Sequence, residues 1–167
     1  VMRLVGSEMC IRDSVSGVAI DKNQVRVSIT ELPDRPGAAA AVFKIMASAG
    51  VIVDMIVQNV ARNGKANLTF TVPSEDAFRA EKALKEHLSE GDGGKLGKST
   101  NIAKISVVGV GMRSHSGVAS TFFEALANAG INMLMISTSE IKISVAVNPE
   151  QGDEATRVAH QAFGLGK

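Results

Sequence analysis

Val25–Thr30 (VRVSIT) alternates apolar and polar positions, the period-two pattern of a strand that lays one face on a core. Pro33-Asp34-Arg35-Pro36-Gly37 breaks that pattern. From Ala38 to Ala49 the apolar positions Val42, Phe43, Ile45 and Met46 recur at helical spacing, and Gly50 stands where a helix stops. Val51–Val60 (VIVDMIVQNV) predicts a second strand, apolar on both faces over much of its length. Asn63-Gly64, a strong hairpin signal, turns the chain into an antiparallel third strand, Lys65–Val72. Pro73-Ser74 opens a second helix running to about Leu88, with Phe78, Ala83, Leu84 and Leu88 as its expected buried stripe.

The same order then recurs. Shifting the chain by 80 positions superposes Gln24–Asn59 on Lys104–Ser139 without a gap. Val27 falls on Val107, Gly37 on Gly117, Phe43 on Phe123, Ala49-Gly50 on Ala129-Gly130 and Met55-Ile56 on Met135-Ile136. That period is too long for a solenoid unit and suits two copies of a small domain. The second copy predicts a strand at Lys104–Val108, a helix from Gly117 to Asn128, strands Ile131–Thr138 and Glu140–Val147, and a helix from Glu150 to Phe163.

Two helices on one face of an antiparallel sheet make an α+β fold of ferredoxin-like βαββαβ modules. Such a module needs a fourth strand. Gly94–Thr100 supplies it in the first copy, but in the second the chain stops directly after the helix. The unassigned segment VSGVAID (Val15–Asp21) is therefore expected to cross over and close the second sheet, interlocking the modules. The expected division is 1–14 apart from the fold, 15–21 as the exchanged strand, 22–100 as module one and 101–167 as module two. The first fourteen residues have no counterpart in the repeat and too much charge for a signal peptide, and they read as a truncation junction or foreign sequence.

Composition narrows the function classes. With no Trp, no Tyr and six Phe, the core must come from Val, Ile, Ala, Leu and Met. Eighteen basic against 17 acidic side chains leave a net charge of +1, no footprint for nucleic acid or an anionic membrane. No apolar run approaches the roughly 20 residues that span a bilayer. A lone cysteine, Cys10, excludes an internal disulfide framework and fits a reducing compartment, so a cytoplasmic location is expected.

The turn D-R-P-G with small residues after it (Asp34–Ala39), a helix ending in A-G and a strand V-I-V-D resemble the ACT domain. S-H-S-G (Ser114–Gly117) and A-G-I-N (Ala129–Asn132) are a weaker form of the same pattern. VDMIVQNV, GVGMRSHSGVASTFFEAL and ISTSEIKISV resemble the regulatory region of bacterial aspartate kinases, and the likeness runs over Val15–Gly166. It implies feedback control, by lysine and threonine, of the ATP-dependent phosphorylation of L-aspartate. It also implies effector sites at interfaces between ACT modules, a homodimer formed through those modules, and association with an aspartate kinase catalytic domain or subunit, fused or separate. The kinase domain is absent from this sequence, so ATP and Mg belong elsewhere, no cofactor or metal is expected here, and the chain alone should be inactive.

An α-amino acid presents a carboxylate and an ammonium one carbon apart. The turn before a helix offers backbone N–H groups and the positive end of the helix dipole to the carboxylate. Gly37, Ala38 and Ala39 let a ligand approach that backbone, Asp34 can accept from an ammonium, and Gln58 can donate and accept. Taken alone, the turn reads first as a helix cap with a solvated Asp34. The resemblance makes these residues a threonine-type site, completed by Asn132 and Met133. By the same resemblance a lysine-type site uses Gly117, Val118, Ala119, Ser139 and Glu140. Asp54 either reaches an effector ammonium there or is an ordinary edge charge. Ser114 stands where the first copy has Asp34, so the two sites differ in charge.

Catalytic readings are weak. Gly97-Lys98-Ser99-Thr100 matches the end of a phosphate loop, but Asp92 holds the upstream glycine position and a strand is expected to follow. Gly109-Val110-Gly111 has Ser114 in place of the third glycine of a dinucleotide fingerprint. His87, His115 and His160 lack metal-ligand spacing. Asn67-Leu68-Thr69 is a glycosylation sequon inside a predicted strand. Glu81 and Lys85 have the spacing of a helix-surface pair. The rival readings are a free-standing ACT sensor for another enzyme and a small ferredoxin-like enzyme or RNA binder. The latter requires clustered catalytic groups or sheet aromatics, neither of which is present.

Overall fold

The computed structural model describes residues 15–60, 63–90, 94–109, 117–139 and 141–164. They form two compact units. Asn23–Ile102 makes one, here the continuous unit; the described residues up to Lys22 join those from Ala103 onward in the other, the split unit.

In the continuous unit, β1 (Gly17–Pro33) is followed by α1 (Ala38–Ser48), β2 (Asp54–Val60), β3 (Lys65–Pro73), a 3-10 turn (Ser74–Asp76), α2 (Ala77–Glu90) and a short β4 (Lys95–Leu96). The strand order is β2-β3-β1, with β4 against the other side of β1, and the β2/β3, β1/β3 and β1/β4 pairs are antiparallel. Val25, Val27 and Ile29 of β1 stand opposite Val72, Phe70 and Leu68 of β3. All six are buried in one cluster with Val42 and Met46 of α1 and Ala80 and Leu84 of α2, so both helices cover the same sheet face. Phe43 meets Phe70 edge-on at 5.6 Å, a geometry that adds about 0.5–1.5 kcal/mol to simple burial.

Period two fails once along β1, between Ile29 and Leu32, where the register with β3 shifts. The extra residue is Glu31, at φ 56, and this bulge returns Leu32 to the buried face.

The α1 stop follows from Gly50. At φ 73 it takes the left-handed position, its N–H donates to Ala47 O, and Val51 N–H donates to Met46 O. This is the Schellman closure. Gly130, also at φ 73, repeats it, with Ile131 N–H on Leu126 O. In each case the residue after the glycine is buried with the helix residue it bonds to, Val51 with Met46 and Ile131 with Leu126.

The split unit contains β5 (Thr100–Val108, from Ala103 on), α3 (Gly117–Asn128), β6 (Met135–Thr138), β7 (Lys142–Val147), a 3-10 turn (Pro149–Gln151) and α4 (Gly152–Ala162). β7 pairs antiparallel with both β5 and β6. The first residues of β1 lie beside β5, and Ser16 N–H donates to Val108 O at 2.6 Å. Val15 is buried in this unit's core with Ile105, Val107, Phe122, Leu126 and Phe163, and Val18 and Ile20 pack against it. The fold is thus a tandem of α+β modules with antiparallel sheets and, among the described residues, four α-helices, the N-terminal strand completing the second sheet.

Several expected boundaries are corrected. Val15–Asp21 and Val25–Thr30 belong to a single β1. β2 begins at Asp54 and β6 at Met135, because Val51 and Ile131 are drawn into the helix closures. β7 begins at Lys142, and the fourth strand shrinks to Lys95–Leu96 while β5 starts early, at Thr100. Phe78, expected in the α2 stripe, is 79% exposed. At about 100° per residue it lies some 200° around the helix from Ala80, which faces the core.

Candidate functional site

The turn Pro33–Gly37 leads from β1 into α1. Gly37 caps the helix at φ 92, no side chain caps it, and no acidic residue stands in its first turn. Ala38 N–H bonds to Arg35 O and Ala41 N–H to Gly37 O. Between them, the N–H groups of Ala39 and Ala40 have no hydrogen-bond partner among the described residues. A Cβ on Gly37 would meet nothing within 4 Å, so the approach to this turn is open. Two donors without partners among the described residues, at the positive end of a helix of 11 residues, are chemically suited to an anion.

Pairing places Gln58 near this turn. β1 and β2 both run antiparallel to β3, so their C-terminal ends, Pro33 and Val60, lie at the same end of the sheet. Gln58 stands opposite Leu68, whose side chain faces the helices, so Gln58 shares that face; it is exposed. Asp34 is also exposed, and its N–H is tied to Gly64 O of the β2–β3 hairpin at 3.0 Å. Asp34, Gly37, Ala38, Ala39 and Gln58 are therefore gathered at one end of the continuous unit. Asp54 begins β2 at the opposite end, half-buried, with its carbonyl accepting from Thr71 Oγ1 at 3.0 Å.

The remaining site residues belong to the split unit. Asn132 is exposed, and Met133 packs against the core; both precede β6 instead of opening it. Gly117 and Ala119 are half-buried in the first turn of α3, whereas Val118 is buried, backbone and side chain together. Ser139 follows β6, exposed, with its Oγ donating to Lys142 O at 3.3 Å. Ser139 lies at the end of its sheet where β5 and β6 finish; Asn132 and Met133 lie where β6 begins. Glu140, like Asp92, Ser114 and His115, falls outside the described residues.

Sequence reasoning passed over Ala40 and Gly64. The first contributes only a backbone donor, which no side-chain pattern announces. The second was legible as a hairpin residue, but not as the anchor of the Asp34 turn. Of the catalytic readings, Thr100 opens a strand and not a helix, which removes the context of a phosphate loop. Among the described residues no cluster of three His, Cys, Asp or Glu can hold a metal, and no helix is long and apolar enough to cross a membrane.

Comparison with known proteins assigns the architecture. Models of the ACT domain match residues 25–92 and 105–163. The aspartokinase of Helicobacter pylori (strain ATCC 700392 / 26695) is 49% identical over 151 residues, which is 90% of this chain and 37% of the relative. The regulatory subunit of aspartate kinase from Thermus thermophilus, in its ligand-free form, matches with a TM-score of 0.84 at 41% identity, over 90% of this chain and 99% of that one. A crystal structure of aspartokinase alpha and beta subunits gives 0.83 at 43% identity, over 91% and 100%.

These matches define first a class, the tandem ACT-domain proteins. Within it, the chain belongs to the family of aspartate kinase regulatory regions. It spans 37% of the length of the curated relatives it matches.

Proposed function

We propose that this chain senses free amino acids, threonine and lysine, and through them exerts feedback on an aspartate kinase catalytic domain or subunit. The observation that carries the reading is the uncapped first turn of α1, with the Ala39 and Ala40 N–H groups unpartnered among the described residues beside an open Gly37. An effector carboxylate takes those two donors. Asp34 accepts from the ammonium, and Gln58 engages the side-chain hydroxyl of threonine. Asn132 and Met133, from the split unit, are the further candidates for threonine by the family resemblance. Gly117, Val118, Ala119, Ser139 and Glu140, with Asp54, form the lysine-type set.

Binding acts by favouring one arrangement of the regulatory region over another. Coupling of this kind is typically about 1–3 kcal/mol, a five- to 150-fold effect on the linked equilibrium. The working form in this reading is a cytoplasmic homodimer. Its support is the edge strand β2, where Ile56 and Val60 are 51% and 62% exposed, an apolar edge that a second copy would cover. ATP, Mg and the phosphorylation of aspartate stay with the catalytic partner.

Calorimetric titration with threonine, lysine, methionine and isoleucine tests the proposal. Saturable heat with threonine or lysine is expected. Heat with methionine or isoleucine alone would assign the chain to a different ACT sensor, and none with any of the four removes the amino-acid reading altogether.

A further inference from the structure

A second polar groove lies on the continuous unit, between α2 and the segment after β4. It encloses about 350 Å³ and is lined by Glu81, Lys85, Leu96, Gly97, Lys98 and Ser99. Gly97 N–H donates to Ser28 O at 2.8 Å, which pins one lip of the groove to β1. The other lip is α2, where Glu81 and Lys85 stand one turn apart. Their spacing suggests an ion pair, yet neither they nor Lys98 make one among the described residues. Lys85 and Glu81 on one lip and Lys98 on the other therefore line the groove with two ammonium groups and one carboxylate.

Ser99 supplies the second observation. Its Oγ is fully buried and has no hydrogen-bond partner among the described residues. Buried hydroxyls are almost always satisfied, and one that is not calls for a physical account. A group that accepts hydrogen bonds in the groove would satisfy Ser99 and be held by Lys85 and Lys98 together.

We propose that this groove binds the oxyanion of a small metabolite, with a phosphate group as its best match. Three donors, Lys85 Nζ, Lys98 Nζ and Ser99 Oγ, suit the three free oxygens of a phosphate monoester. Glu81, beside them, opposes the negative charge of the ligand and limits its affinity. The volume is at the small end of metabolite sites. The segment Gly97–Thr100 thus contributes to an anion site without being a phosphate loop, its lysine and serine side chains acting beside a helix flank and not at a helix start. The site is separate from the α1 turn and does not depend on the effector reading.

The test is a titration of the isotope-labelled chain with inorganic phosphate at constant ionic strength, followed through the amide signals of Lys85, Lys98 and Ser99. Saturable shifts confined to this groove are expected. The double variant Lys85→Met/Lys98→Met should weaken binding by about tenfold or more, since it removes two charge-assisted bonds. Glu81→Gln should tighten it two- to threefold by removing the repelling carboxylate, and signals elsewhere should stay unmoved in both variants. A parallel titration with aspartate separates the two sources of oxyanion; saturation by aspartate alone would make the ligand group a carboxylate held by the same donors. Shifts no larger than those from matched chloride with both probes, or binding unaltered in the double variant, would overturn the proposal.

Discussion

The backbone N–H of Asp34 donates to the carbonyl of Gly64 at 3.0 Å, so the turn before α1 is fastened to the β2–β3 hairpin. Gly64 holds this position at φ 76, a region that costs an L-residue roughly 1–2 kcal/mol. A Cβ there would touch nothing, so the penalty of Gly64→Ala is backbone strain alone. The variant should lose about 1 kcal/mol of stability in the continuous unit. It should also expose the Asp34 amide to faster hydrogen exchange and weaken threonine binding. Because the two units need not unfold in one step, exchange resolved by unit is the proper measurement. Unaltered exchange at Asp34 would show that the hairpin does not hold the turn.

Gln58 provides a cleaner test of the proposed pocket. Its side chain is exposed on β2 and belongs to neither core, so Gln58→Ala should change stability by no more than about 0.5 kcal/mol. One lost hydrogen bond to an effector corresponds to roughly 1 kcal/mol, or about five- to tenfold in affinity. Calorimetry with threonine should show that loss with little change for lysine. Equal affinity in both proteins would remove Gln58 from the site.

Much of this fold is legible in the chain, and the gaps have physical causes. Alternation at Val25, Val27 and Ile29 and the glycines at 50 and 130 set strands, helices and stops, because each follows from local geometry. The exchanged strand was legible because Val15–Asp21 reads as a strand that the first copy leaves unassigned. The bulge at Glu31 was not, because a charged residue in the left-handed region follows no turn signature. Phe78 misled because aromatic residues are read as core, whereas α2 buries small Ala80 and leaves the ring in solvent. At the site, the donor types were legible in Pro36-Gly37, but which N–H groups lack partners depends on the cap that forms. Residues named from both units were grouped by resemblance alone, which periodicity cannot supply.

Glu31 also carries a pH signature. Lys95, hydrogen-bonded at 2.9 Å and then acting as a charge, holds the Glu31 carboxyl below its ordinary value, and the same contact raises Lys95. A lowered carboxyl stabilises the fold above its ordinary value, and the contribution is lost as pH falls through the lowered one. The raised ammonium contributes below its ordinary value and loses that contribution as pH rises through the raised one. The pair is therefore intact across the neutral range. Both groups are exposed, so salt should weaken the interaction. In Lys95→Met the Glu31 side chain, followed by NMR titration, should protonate at higher pH than in the parent. An unmoved titration would mean that Lys95 is not the cause.

The last prediction concerns how tightly α4 seats on the exchanged strand. Gly152 opens this helix at φ −59, a conformation any residue accepts. Glycine to alanine in a helix normally gains about 0.5–1 kcal/mol. Here the added Cβ would lie 2.9 Å from the Ala103 Cβ and 3.1 Å from the Ile20 Cδ1. Ala103 is fixed in β5 opposite Val147 and cannot swing aside, while the Ile20 methyl is the end of a longer side chain. Overpacking of this sort costs about 1–3 kcal/mol and outweighs the helix gain, so Gly152→Ala should destabilise the split unit by about 1–2 kcal/mol. Adding Ala103→Gly removes the closest methyl and should recover part of the loss, a coupling of at least about 0.5 kcal/mol in a double-mutant cycle. Ile20→Val, which shortens the other contact, should recover less. If Gly152→Ala proves stabilising in thermal unfolding, α4 can shift off β5 at little cost, and the close seating of the N-terminal strand beneath it does not constrain the fold.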